Sequence, residues 1–201
     1  MKPFKFIRNL FVRIFCRIQL IRFVPHIIVY YTFRDQDLLN YERDMYLSKF
    51  VNGGGYKGVL GFLKLLSGNY AYRSLFYWRT DSDWLNIFAR GEVNLHFVTP
   101  SAKVGKGLMI WHGYSTIINA ASIGENFQIW HNVTIGKKYT SDIPDKPIIG
   151  NNVSVCTGSV CLGNINIGNN SIVAANATVV KDIPDNSLVV SQPVRIIERE
   201  K

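Results

Sequence analysis

The chain has 201 residues, of which 47% are hydrophobic and 18% charged, and this composition excludes a disordered or fibrous protein and allows a sizeable core. The formal net charge is +9, from 23 Lys and Arg against 14 Asp and Glu. The first 33 residues hold six cations and no acid, so the excess lies mainly at one end and does not indicate a general nucleic-acid surface. The three cysteines form neither a disulfide framework nor a zinc motif.

Residues 1–33 predict a basic amphipathic leader. Apolar residues at helical spacing define one face: Ile7, Leu10, Phe11, Ile14, Ile18 and Ile21. The longest early uncharged run, residues 23–33, is too short to span a bilayer, and the scattered cations do not fit a cleavable signal. Two interpretations stay open. In the first, residues 1–24 lie in the interface of an anionic membrane. In the second, they pack on the protein itself or across an oligomer contact. We expect a cytoplasmic protein, either free or peripheral on the inner face of the cytoplasmic membrane.

Residues 34–97 predict an α-helical region. Three short helices are indicated at residues 35–50, 56–66 and 71–78, separated by glycine-containing breaks. The run Gly53-Gly54-Gly55 is interpreted as a linker and not as a phosphate-binding loop, because no strand precedes it and no Gly-Lys-Ser/Thr sequence follows it.

From Val104 onward, small or aliphatic residues recur at every sixth position. The recurring positions are Val104, Ile110, Ile117, Ile123, Ile129, Ile135, Ile149, Val155, Cys161, Ile167, Val173 and Val179. One residue is extra between positions 110 and 117, and about eight are extra between 135 and 149. A period of six fits neither a helix nor a hairpin meander and predicts a parallel β-helix.

The repeats at residues 123–128 and 167–172 resemble the hexapeptide repeat of left-handed β-helix acyltransferases. Four stretches resemble serine acetyltransferase-like enzymes, including the branch associated with exopolysaccharide and capsule synthesis: residues 104–108, 112–113, 133–136 and 179–184. The resemblance implies an all-β left-handed parallel β-helix at residues 98–197, with an inserted loop at 139–147, preceded by the α-helical N-terminal region. It also implies a homotrimer with active sites between neighbouring subunits.

In this family one coil, that is one turn of the β-helix, contains eighteen residues or three hexapeptides (hexads). Every third hexad therefore lies on the same face of the β-helix. Trp111-His112 and Trp130-His131 lie nineteen residues apart, one coil plus the extra residue, so we expect both pairs to stack and to point outward. Transfer of an acyl group from a thioester to an alcohol needs a base for the hydroxyl proton, and an imidazole with an ordinary pKa near 6.5 suits that task. His112 is the expected catalytic base. His131 either takes a direct catalytic part or orients His112.

Three departures from true serine acetyltransferases bear on the acceptor. The Asp that supports the family's catalytic His corresponds to Phe97 here, with neighbouring His96 a candidate replacement. The Asp immediately before that His corresponds to Trp111, and a serine-binding His in the later loop corresponds to Lys146. The loss of both amino-acid-binding groups argues against L-serine.

The expected substrate-binding residues are Trp111, Trp130, Asn119 and Lys146. An exposed indole offers a flat apolar platform for a sugar ring. The resemblance implies acetyl-CoA as donor, and the matching cofactor-binding positions are Gly136, Thr157, Ala175 and Lys181, with Lys137, Lys138 and Arg195 as cationic alternatives for the phosphates. No metal is expected, because the position five residues after His131, where γ-class carbonic anhydrases have a zinc ligand, is Gly136.

The sequence therefore predicts an acetyl-CoA-dependent O-acetyltransferase acting on a sugar hydroxyl in surface-polysaccharide biosynthesis, with a nucleotide-linked or lipid-linked saccharide as acceptor. The first alternative is a serine O-acetyltransferase of cysteine biosynthesis. The second alternative is a non-catalytic β-helix scaffold.

Overall fold

The computed structural model describes residues 21–51, 55–138 and 145–192. The first twenty residues of the leader, Gly53 and Gly54, most of the inserted loop and Arg195 therefore lie outside the described residues. The chain divides into two compact units, Met1–Glu92 and Val93–Lys201. The domain boundaries at residues 33 and 97 stay predictions of the sequence.

The first unit is helical. Its helices are α1 (Val24–Thr32), α2 (Gln36–Phe50), α3 (Gly58–Gly68) and α4 (Tyr70–Thr80), followed by a 3₁₀ helix at Asp83–Ile87. The three helices predicted downstream of the leader are present, and their ends differ from the predicted ones by at most two residues. Asp35 accepts a hydrogen bond from the N–H of Leu38 at 3.0 Å, and Asn69 accepts one from Tyr72 at 2.8 Å. These side-chain caps fix where α2 and α4 begin.

Polar side chains in the core of the helical unit are paired with one another, as two contacts show. The Arg79 guanidinium lies 2.7 Å from the Glu42 carboxylate, and both side chains are inaccessible. Tyr77 donates its hydroxyl hydrogen to the carbonyl of Ala89 at 2.6 Å. The Tyr77 oxygen must therefore accept from Nε2–H of His26, 2.9 Å away. His26 therefore carries a proton on Nε2.

The second unit is a coil of short parallel strands in three sheets. Sheet A contains β1 (Leu95–Phe97), β3 (Thr116–Ile118), β6 (Thr134–Gly136), β9 (Val160–Leu162) and β12 (Thr178–Val179). Sheet B contains β4 (Ser122–Ile123), β7 (Ile148–Ile149) and β10 (Asn166–Ile167). Sheet C contains β2 (Met109–Ile110), β5 (Gln128–Ile129), β8 (Ser154–Val155), β11 (Ile172–Val173) and β13 (Leu188–Val189). From β2 to β12, successive strands pass through sheets C, A and B in turn, which is the predicted parallel β-helix.

The predicted register is correct at eleven of its twelve positions and wrong at Ile117. Ile118, and not Ile117, pairs with Ile135 and is fully buried, whereas Ile117 is 39% exposed. The cause is the corner before β3. The buried hydroxyl of Thr116 donates to the carbonyl of Trp130 at 3.1 Å, so Thr116 takes an inward position and the next inward residue is Ile118.

The corners between sheets contain residues that allow a positive φ or a close approach of two coils. Asn126, Asn152 and Asn170 adopt positive φ near 55° and their amides hydrogen-bond from coil to coil at 3.0–3.1 Å. At Gly124 a Cβ atom would lie 2.6 Å from the carbonyl carbon of Gly150 on the next coil. The stacking of coils at this corner therefore requires glycine.

Candidate active site

The pairing of β2 with β5 places the two Trp-His pairs one above the other. Ile110 is opposite Ile129, and the N–H of Trp111 donates to the carbonyl of Ile129 at 3.0 Å. His112 and His131 follow in the corner where the chain leaves sheet C. The nineteen-residue spacing thus produces the predicted alignment.

The indole rings of Trp111 and Trp130 are stacked, with centroids 5.7 Å apart and planes inclined by 17°. Nε1–H of Trp111 donates to Oε1 of Gln128 at 3.0 Å. Both indoles are half-buried. The sequence analysis did not single out Gln128. Its outward position in β5, two residues before Trp130, could have indicated a contact with the indoles.

The imidazole rings of His112 and His131 lie 6.2 Å apart in an edge-to-face arrangement, with planes at 64°. The phenol of Tyr114 stacks on His131 at 4.6 Å and 18°, a contact that sequence reasoning also missed. His112 is exposed and His131 is half-buried. Nδ1 of His131 is buried and has no hydrogen-bond partner in the described part of the chain. The accessible imidazole is that of His112, which is therefore the better placed to take a proton from a bound alcohol.

Thr157 and Ala175 continue the column of His131 along the same corner. The N–H of Gly158 donates to the carbonyl of His131 at 3.1 Å, and the N–H of Asn176 donates to the carbonyl of Thr157 at 2.9 Å. The side chains that follow one another on this corner become smaller from coil to coil: His131, then Thr157, then Ala175. The residues beyond His131 on this corner therefore have small side chains.

Four predicted residues lie at a different corner, where the chain leaves sheet A for sheet B: Asn119, Gly136, Lys146 and Lys181. Asn119 donates its N–H to the carbonyl of Ile135 at 3.0 Å, and its buried Oδ1 has no partner among the described residues. Lys146 is half-buried and Lys181 is exposed. A three-residue strand spans about 10 Å, so within one chain the structure does not bring this corner together with the histidines.

His96 and Phe97 lie in β1, at the edge of sheet A, opposite Ile117 and Ile118. His96 is exposed, as is its partner Ile117, whereas Phe97 is half-buried. His96 therefore lies on the outer surface of sheet A, and its expected supporting role stays a prediction.

The two described cysteines do not favour a covalent acyl-enzyme. Burial raises the pKa of the Cys161 thiol to about 12 and also raises that of Cys156. Both thiols stay protonated near neutral pH and are poor nucleophiles. Over residues 21–51, 55–138 and 145–192, no group of three or more His, Cys, Asp and Glu side chains has a metal-binding arrangement. No helix in the same ranges is long and apolar enough to cross a bilayer.

Comparison with known proteins finds serine acetyltransferases. A putative serine acetyltransferase of Schizosaccharomyces pombe is 38% identical over 104 residues, which cover 51% of this chain and 37% of that protein. The serine acetyltransferase of Staphylococcus epidermidis strain RP62A is 38% identical over 104 residues, covering 51% of this chain and 49% of that protein. The chain thus spans half or less of the length of these relatives. No protein-family profile matches it.

Among solved structures, serine acetyltransferase isoform 3 of Entamoeba histolytica in complex with cysteine superposes with a TM-score of 0.64. It is 21% identical and the match covers 82% of this chain and 61% of that one. At this identity the match supports the fold alone. The fold class, a left-handed parallel β-helix preceded by helices, and the resemblance to serine acetyltransferases are both confirmed.

Proposed function

We propose that the chain is an acetyl-CoA-dependent O-acetyltransferase in which His112 is the general base. The observation that carries this proposal is the exposed imidazole of His112, edge-to-face with His131 at a corner of a β-helix similar to those of serine acetyltransferases. A non-catalytic scaffold would not require this pairing of imidazoles beside two stacked indoles.

In the proposed reaction, a ring nitrogen of His112 removes the proton of the acceptor hydroxyl as its oxygen attacks the thioester carbonyl carbon. A carbon–oxygen bond forms, the carbon–sulfur bond breaks, and the leaving thiolate takes the proton back from the imidazolium. Such a base contributes on the order of 10²–10⁴-fold to the rate. His131, stacked on Tyr114, holds one wall of the site in place.

The donor is proposed to run along the corner that contains Thr157 and Ala175, where the side chains are small enough for a pantetheine arm. Lys181 is proposed to bind the phosphates of CoA, with Lys137 and Lys138 as neighbouring cations. Gly136 lies at the same corner as Lys181. Because this corner is separated from His112 within one chain, the proposal includes a homotrimer in which two subunits complete each site.

The comparisons support L-serine as acceptor more than the polysaccharide acceptor predicted from sequence, because the relatives are named serine acetyltransferases. L-serine is therefore the first acceptor to test. Two residues of this chain oppose it: Trp111 and Lys146 occupy positions where the family resemblance implies serine-binding groups.

A sugar hydroxyl is the second candidate acceptor, and the stacked indoles of Trp111 and Trp130 favour it. Aromatic faces bind the apolar faces of sugar rings by dispersion and by excluding water. Asn119 and Lys146 are proposed to contact the acceptor from the neighbouring subunit.

The deciding experiment offers acetyl-CoA with L-serine, with N-acetylhexosamines and with nucleotide sugars, and measures release of the CoA thiol. Release that depends on one acceptor and is lost in His112→Ala supports the proposal and identifies the acceptor class. If acetyl-CoA does not bind by calorimetry, the scaffold alternative replaces the enzymatic proposal. The mass of the protein in solution tests the trimer.

We also propose that residues 1–24 contact the inner face of the cytoplasmic membrane, so that the protein is peripheral to it. Only the last four of those residues are described.

A further inference from the structure

Helix α1 packs on its own unit through one face. Phe23, His26 and Tyr30 are 1%, 0% and 3% exposed, and they recur at the spacing of one side of a helix. This face belongs to the core of the helical unit.

A second apolar face lies on the exposed side of the same segment. Ile21, Val24, Ile28 and Tyr31 are 66%, 48%, 59% and 61% exposed. They follow one another at intervals of three, four and three residues, which aligns those within α1 along one stripe. Four large apolar side chains in a row form a patch that is unusual on a surface facing water.

The same spacing continues upstream in the sequence. Ile7, Phe11, Ile14 and Ile18 precede Ile21 at intervals of four, three, four and three residues. The exposed stripe of α1 is thus the downstream end of a longer apolar repeat.

From residue 1 to residue 34, the charged side chains have one sign, and the first acids, Asp35 and Asp37, follow after α1. Seven of the first 34 residues are Lys or Arg, and none is Asp or Glu. Of these cations, Arg22 and Arg34 lie in the described part and are exposed. A second copy of the chain docked through the stripe would bring two cationic segments together, which costs free energy. An apolar stripe bordered by cations fits a surface that offers acyl chains under anionic headgroups.

We propose that the stripe formed by Ile21, Val24, Ile28 and Tyr31 binds an anionic lipid bilayer, with α1 lying in the interfacial plane. This extends the proposed contact beyond residue 24 into the described helix. It does not depend on the proposed acetyl transfer.

The test is co-sedimentation of the full chain with vesicles. Phosphatidylcholine vesicles are compared with vesicles that also contain phosphatidylglycerol, for the unaltered chain, for Ile28→Asp and for Leu60→Asp. Leu60 is the matched control, because it is 64% exposed and lies on helix α3, outside the stripe. Circular dichroism checks that both variants fold.

We expect the unaltered chain and Leu60→Asp to bind the anionic vesicles, more weakly as salt is raised, and Ile28→Asp to bind at least tenfold more weakly. Acetyl transfer to a soluble acceptor should be the same in all three proteins. No binding of the unaltered chain to anionic vesicles, or equal binding by Ile28→Asp, overturns the proposal. A lower oligomeric mass in Ile28→Asp with unchanged vesicle binding would instead assign the stripe to a second copy.

Discussion

The imidazole of His112 lies edge-to-face with the imidazole of His131, with ring centroids 6.2 Å apart. This contact exists because Ile110 pairs with Ile129 across neighbouring coils. His131 is itself stacked on Tyr114, so the wall beside His112 is held in place. His131 therefore becomes a candidate for the supporting role that the family resemblance gives to an Asp, where this chain has Phe97.

Replacing His112 by Ala should lower kcat for acetyl transfer by about 10²–10⁴-fold, because the hydroxyl proton then has no acceptor on the protein. The rate of CoA thiol release at saturating acetyl-CoA measures the loss. The fold should be retained, since His112 is exposed and lies in a corner.

His131→Ala is the companion variant. If His131 only positions His112, His131→Ala should lower kcat by less than His112→Ala does, and it should shift the pH profile of kcat. His131→Asn should have a higher kcat than His131→Ala. Near-normal turnover in His112→Ala together with an inactive His131→Ala would make His131 the base.

Much of this arrangement follows from sequence periodicity. The period of six placed Ile110, Ile129 and Val155 in one sheet, and the nineteen-residue spacing placed His112 above His131. Periodicity could not predict the inward position of Ile118, because that depends on the hydrogen bond from Thr116 to the carbonyl of Trp130. Nor could it predict which side chains meet at a corner, as Tyr114 and His131 do.

Trp111→Ala should raise KM for the acceptor by about tenfold and change kcat less, because it removes the indole that follows the edge strand β2 from the stacked pair. Gln128→Ala should raise the same KM by about fivefold, since it removes only the 3.0 Å hydrogen bond that fixes the Trp111 indole. Steady-state kinetics with varied acceptor measures both effects.

The control for the indole variants is Trp84→Ala, which removes a 53% exposed indole from the helical unit. It should leave both Michaelis constants unchanged, and Trp111→Ala should leave KM for acetyl-CoA unchanged. An acceptor KM insensitive to Trp111→Ala would remove the stacked indoles from the proposed acceptor site.

Gly124→Ala should lower the free energy of unfolding by about 1–3 kcal/mol, because its Cβ would meet the backbone of Gly150 at 2.6–2.7 Å and the coils would have to separate. Gly68→Ala is the matched control. Nothing lies within 4 Å of a Cβ at that position, so the change should be neutral or stabilise by a few tenths of a kcal/mol. Urea unfolding followed by circular dichroism compares them, and equal stabilities would contradict the close approach of the coils.

The stability of the helical unit should depend on pH through His26. Burial lowers the pKa of His26 to about 4, and repulsion by Arg73 and Arg22 adds to the shift. In the unfolded chain the pKa is about 6.5. Between these two values the unfolded state binds more protons than the folded state, so the free energy of unfolding falls as the pH drops from about 6.5 towards 4.

The size of this effect is measured by comparing the unaltered chain with His26→Gln, which keeps an N–H donor for the Tyr77 hydroxyl but does not titrate. Between pH 7 and pH 5 the unaltered chain should lose about 1–2 kcal/mol more stability than the variant. Other groups that titrate in this range are common to both proteins, so their contributions cancel in the difference. Parallel pH dependences in urea unfolding would mean that the pKa of His26 is the same in the folded and unfolded states, so that its burial does not disfavour the imidazolium.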